Sequence, residues 1–106
     1  MYIVILITAK HKKEAGRIAR ALVKNKLAAC VTIVDKVHSL FWWQGKVDQA
    51  TEVLLIAKSK KEQLARIITT VKSLHSYEVP EIIALPLMGG NTAYLEWINE
   101  SLRRKS

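Results

Sequence analysis

The spacing of apolar residues changes repeatedly along this chain, and each change marks a new element. Residues 2–8 form a continuous apolar run, the pattern of a strand buried on both faces or flanked by neighbours. Residues 11–26 switch to helical period. Ala15, Ile18, Ala19, Leu22 and Val23 make one stripe, and Lys and Arg occupy the rest. Residues 27–43 predict a long strand, bent near Asp35-Lys36. Gln44-Gly45 supplies the reversal, since Gly tolerates the positive φ of a tight hairpin, and residues 51–58 return as the next strand. Ser59-Lys60-Lys61-Glu62 fits a capping box, with Ser59 as N-cap and Glu62 reaching back. The helix it opens carries Leu64, Ile67, Ile68, Val71 and Leu74 on its apolar stripe. Pro80 forces Val79 into an extended conformation, and residues 81–88 predict the fourth strand. Gly89-Gly90 break it, and Asn91 caps a last helix that buries Tyr94, Leu95, Ile98 and Leu102.

The order is βαββαβ plus a terminal helix. This is an α+β chain, a ferredoxin-like sandwich with both main helices on one face of an antiparallel sheet. Residues 1–106 make a single domain. The usual strand order, 4-1-3-2, leaves strands two and four at the edges, and Pro86 suits an edge. The other edge is the strand ending in Phe41-Trp42-Trp43, whose alternation puts aromatics on both faces. A long apolar edge without charge invites pairing with another chain, and a sheet this size has too few helices to cover both faces. Phe41, Trp42 and Trp43 are therefore expected to meet a second copy of the chain.

Composition narrows the function classes. The 106 residues are 50% hydrophobic and 25% charged, an ordinary globular balance. No apolar run reaches the ~20 residues that span a bilayer, so membrane insertion is not expected. The single cysteine, Cys30, has no internal disulfide partner, and cytoplasm is the default compartment. The formal charge of +8 raises nucleic acid as a partner. The basic residues are spread around one helix and distant turns, however, and Arg103-Arg104-Lys105 suits a helix C-terminus. With no aromatic stacking motif beside them, no nucleic-acid partner is expected. No nucleophile elbow, Walker lysine or HExxH is present, and Gly89-Gly90-Asn91 lacks phosphate-loop spacing, so no catalysis is expected.

The segments KLAACVTI, FWWQGKV, EVLLIAKS, LHSYEVPEIIALPL and GNTAYLEWI, in register along one short chain, resemble the CutA family of divalent-cation tolerance proteins. The resemblance runs almost end to end. It implies a ferredoxin-like protomer in a tight homotrimer whose strands cross subunit boundaries. It also implies a link to copper and other divalent metals, and an architectural likeness to the PII signal transducers.

Site candidates follow from both sources. His75 is the first choice for metal, because neutral imidazole suits Cu(II) and Zn(II). Its competing role is to cap the preceding helix. Copper-binding members can present a cysteine in the first strand and a His-His pair here; this chain has Ile7 and Leu74-His75, so only His75 of that set remains. Cys30 is the one soft thiolate, set against a role as a small core hydrophobe. His11 and His38 are isolated. The resemblance further implies an intersubunit cleft lined by Trp43, Glu52, Lys58, Tyr77 and Glu78, fit for a small anion or a metal-bound ligand, or else an ion-pair network that fixes subunit register. The leading expectation is a trimer that binds divalent metal, Cu(II) foremost. The alternatives are a PII-like regulator holding a small anion and a structural assembly protein.

Overall fold

The computed structural model describes residues 1–103. The sequence of elements is β1 (Tyr2–Ala9), α1 (Lys12–Lys24), β2 (Cys30–Trp43), β3 (Lys46–Lys60), a 3-10 turn (Lys61–Gln63), α2 (Leu64–Leu74), β4 (Ile82–Pro86) and α3 (Thr92–Leu102). The four strands form one antiparallel sheet in the order β2-β3-β1-β4. The expected α+β architecture and edges are present, with Pro86 closing the edge strand opposite Ile3.

Alternation along the two central strands decides the layers. Ile3, Ile5 and Ile7 of β1 and Val53, Leu55 and Ala57 of β3 face α1 and α2. With Ile18, Leu22, Ile67 and Val71 they make a sealed core. The opposite face is covered at one end only. There Ile98 and Leu102 of α3 pack on Ala29 and Tyr2, and the Lys60 ammonium donates to Asn99 Oδ1 at 2.8 Å. The rest of that face is apolar and bare. Thr32, Ile56, Leu6 and Ile83 form one cross-strand row, Val34 and Leu54 lie in the next, and Ile83 is 51% exposed.

The hairpin runs out beyond the sheet. β1 pairs with β3 only as far as Val53, whereas β2 and β3 stay paired from Val37–Glu52 to Trp43–Lys46. A bulge between Val34 and Val37, with Lys36 at φ 58°, bends β2 where the sequence places a bend. Gln44 and Gly45 both take positive φ, 50° and 77°, as a two-residue hairpin turn demands. β3 starts at Lys46 rather than at residue 51, because the polar stretch after the turn still pairs with the aromatic arm. Phe41 and Trp43 lie on one face of this arm and Trp42 on the other.

Two local expectations are corrected. Ser59 is no helix cap: it stays in β3 opposite Ile3, fully buried, and its hydroxyl donates to the Leu27 carbonyl at 2.5 Å. Strand pairing holds it on the core side, so α2 opens later with no side-chain cap. Tyr94 is half-exposed rather than buried, since the α3 face turned to the sheet is that of Ile98 and Leu102. Of the basic C-terminal cluster, Arg103 pairs with Glu100 at 3.2 Å, an exposed contact, while Arg104 and Lys105 lie outside the described residues. Among the described residues no helix is long and apolar enough to cross a membrane.

Candidate functional site

Where β1 ends, α1 begins and the segment after α2 returns, five side chains form one continuous polar network. It starts at the N-terminus of α1. The His11 ring caps the helix by accepting the Glu14 N–H at its Nδ1, 3.1 Å away. Glu14 occupies the same stripe as Ile18 and Leu22, so its carboxylate points inward and is fully buried. Both oxygens are satisfied: Oε2 accepts the Lys10 N–H at 2.8 Å, and Oε1 accepts the Ser76 N–H at 2.5 Å. Burial alone would raise the carboxyl pKa. The hydrogen bonds from Lys10 and Ser76 outweigh it and leave Glu14 below the ordinary carboxylate range.

His75 follows α2 directly in an extended conformation, and its side chain is inaccessible to solvent. Nε2 lies 2.6 Å from the Thr8 carbonyl oxygen, and Nδ1 lies 3.0 Å from the Tyr77 amide nitrogen. A carbonyl only accepts and an amide N–H only donates, so Nε2 carries the proton and Nδ1 accepts. The ring is neutral and its single lone pair is committed. It bonds to β1 and to its own loop, and these contacts, rather than α2's last carbonyls, define its role. Glu14 Oε1 stands 3.9 Å from Nδ1, beyond hydrogen-bond reach.

Tyr77 completes the network. Its ring packs on His75 with centroids 4.8 Å apart, and its hydroxyl donates to Glu52 Oε2 at 2.8 Å. Burial first, then the hydrogen bond to Glu52 and the charges of Glu52 and Glu14, push the phenol up to about 12. Glu52 is largely buried on β3; its Oε1 makes no hydrogen bond among the described residues and is not sealed from solvent.

The cleft set therefore divides within one chain. Glu52 and Tyr77 meet. Lys58 shares Glu52's face but sits six residues along β3, about 20 Å away, and its ammonium donates to Thr32 Oγ1 at 3.1 Å. Trp43 lies equally far along the arm in the other direction, paired with Lys46. Glu78 is exposed beside the network and takes no part in it.

The metal candidates also separate. Cys30 pairs across the sheet with Lys58, which faces Val4, while His75 bonds Thr8. Four residues of β1, about 13 Å, divide the two positions. The Cys30 Sγ instead lies 3.6 Å from the Tyr94 hydroxyl, and this hydrogen bond, aided by burial, raises the Tyr94 phenol. His38 pairs with Gln49 on the arm at 2.9 Å. Among the described residues no three His, Cys, Asp or Glu side chains gather to hold a metal ion. With its lone pair taken, His75 does not fit the ligand role the sequence proposed for it.

Glu14 escaped the sequence reading although it left a signal. An acid on the inward stripe of an otherwise basic helix has to find donors inside the fold. Thr8 could not be read, because it contributes only a carbonyl.

Comparison with known proteins adds an independent line. Residues 3–101 match the family described as CutA1 divalent ion tolerance protein. Over 101 residues the chain is 46% identical to the chloroplastic protein CutA 1 of Oryza sativa subsp. japonica, covering 95% of this chain and 57% of that one. It is 42% identical over 101 residues to the divalent-cation tolerance protein CutA of Pectobacterium atrosepticum, covering 95% and 92%. The solved structure of the periplasmic divalent cation tolerance protein CutA from Archaeoglobus fulgidus superposes with a TM-score of 0.94 at 44% identity, covering 97% and 100%. The chain thus spans little more than half of the rice protein's length and nearly all of the bacterial and archaeal ones.

Proposed function

The chain belongs to the CutA1 divalent ion tolerance family, and from that premise we propose that it is a homotrimer that binds a divalent metal ion, Cu(II) foremost, in metal-ion tolerance. The observation that carries the assembly is the sheet itself. Its arm, residues 37–52, has no β1 beside it, and one face of its body is apolar and bare. An exposed strand edge next to an apolar patch is stabilised by covering both with further copies. Phe41, Trp42 and Trp43 are the contacts we assign to that interface.

For the ligand, the polarity of the cleft decides between the readings. Glu52 is a largely buried carboxylate with one oxygen bonded to Tyr77; the other makes no hydrogen bond among the described residues and is not sealed from solvent. Lys58, the one cation among the cleft candidates, is about 20 Å off within the chain. That environment favours a cation over the small anion of the PII-like alternative. A complete site then takes its remaining ligands from the adjoining subunit, for which the arm of Trp43 is the candidate carrier.

Isothermal titration of Cu(II) into the wild type, Glu52→Gln and Cys30→Ser tests this. We expect saturable binding in the wild type, at least a tenfold loss in Glu52→Gln, and no change in Cys30→Ser. Equal affinity in the wild type and Glu52→Gln would remove Glu52 from the site. Absence of binding to any of the three would favour the structural-assembly alternative.

A further inference from the structure

We propose that His75 is a positioning residue: by accepting the Tyr77 N–H at Nδ1 it latches the segment after α2, and so sets the Tyr77 phenol against Glu52. The latch is local on one side and long-range on the other. Nδ1 takes an amide two residues along its own chain, while Nε2–H is anchored on the Thr8 carbonyl of β1. Ser76, between them, is held by Glu14 from α1. β1 and α1 thereby fix a loop from which Tyr77 reaches a third element, at Glu52 on β3. With these anchors removed the loop would let Tyr77 swing, because among the described residues its ring side is held by the Glu52 bond and the His75 ring.

The inference deepens the reading of Glu52 and Tyr77 as the ligand-facing pair, and rests on it for its consequence. Freed from Tyr77, Glu52 would lose its fixed rotamer and with it the preorganisation that favours a bound cation. The latch itself can be judged without any ligand.

Two substitutions take the ring's bonds apart. Asparagine at 75 puts a side-chain oxygen where it accepts the N–H two residues on, as in an Asx-turn, but cannot reach Thr8. Glutamine reaches toward Thr8 with its N–H and leaves the Tyr77 amide without that acceptor. Crystal structures of His75→Asn, His75→Gln and His75→Ala measure the Tyr77 Oη to Glu52 Oε2 distance directly. Absorbance titration in a Tyr2→Phe, Tyr94→Phe background follows the Tyr77 phenol alone. We expect His75→Asn to keep the distance near 2.8 Å and the phenol near 12. In His75→Gln and His75→Ala the bond should open and the phenol should fall toward the ordinary value of about 10. Retention of the bond in all three variants, or its loss in His75→Asn as in His75→Gln, would overturn the latch. Ring nitrogen NMR of the wild type stands as a test that needs no variant: a protonated Nδ1 also overturns it. The two readings fail separately, since unchanged Cu(II) affinity in Glu52→Gln removes the site while leaving the latch to its own distances.

Discussion

β3 passes through two environments that differ in what they need. Its second half, from Val53 onward, lies between β1 and β2 under two helices, with Leu55 and Ala57 sealed from water. Its first half pairs with β2 alone, in an arm where Leu40 is 67% and Trp42 75% exposed. One strand thus belongs both to a finished core and to an unfinished surface. The contrast teaches that folding of the protomer and cover of its apolar surface are separate problems, solved at opposite ends of the same hairpin.

The contrast can be attacked from either end. The largest effect belongs to the finished half. Leu55→Ala empties a sealed position and should cost about 3 kcal/mol of unfolding free energy in a urea titration, within the range for buried Leu truncations. On the arm, Trp42→Ser should leave the far-ultraviolet spectrum unchanged yet weaken self-association by about 2 kcal/mol, read as a dilution-dependent loss of mass in light scattering. Glu14→Gln probes the polar side of the core. Its carboxyl pKa is lowered in the fold, so the stabilisation it gives is full above the unfolded value near 4.5 and is lost as pH falls through the folded one. The variant should therefore be less stable by about 1.5 kcal/mol at pH 7, and its acid limb should be flatter than the wild type's in thermal melts between pH 6 and 3. The smallest effect lies at the arm's tip. Gly45→Ala meets no neighbour but forces a side chain onto φ 77°, a cost of about 1 kcal/mol measured in the same urea titration.

Much of this was legible in the sequence where local chemistry is decisive. Apolar runs, helical stripes and the breakers between them marked each strand and α-helix. Gln44-Gly45 marked the turn, Asp35-Lys36 the bend and Asn91 the cap, whose Oδ1 accepts the Ala93 N–H at 3.0 Å. Ser59 misled because a capping-box pattern says nothing of a strand partner; Ile3, distant in sequence, keeps it in the sheet. The site was less legible for the same reason. Tyr77 and Glu52 were named together, and they meet. Lys58 and Trp43 were named with them from the family resemblance, which implies a cleft between subunits but gives no distance along one chain's strand. His75 was recognised as a chemically able ring, but its ligand capacity depends on a backbone carbonyl and a backbone amide, which side-chain patterns do not show.

The central claim is that the bare arm and the bare sheet face are covered by further copies of this chain. Light scattering on the wild type at micromolar concentration tests it most directly. We predict a single species near three times the 12.0 kDa protomer, shifted toward smaller mass in Trp42→Ser. A wild type that runs as a uniform 12.0 kDa species would contradict the account.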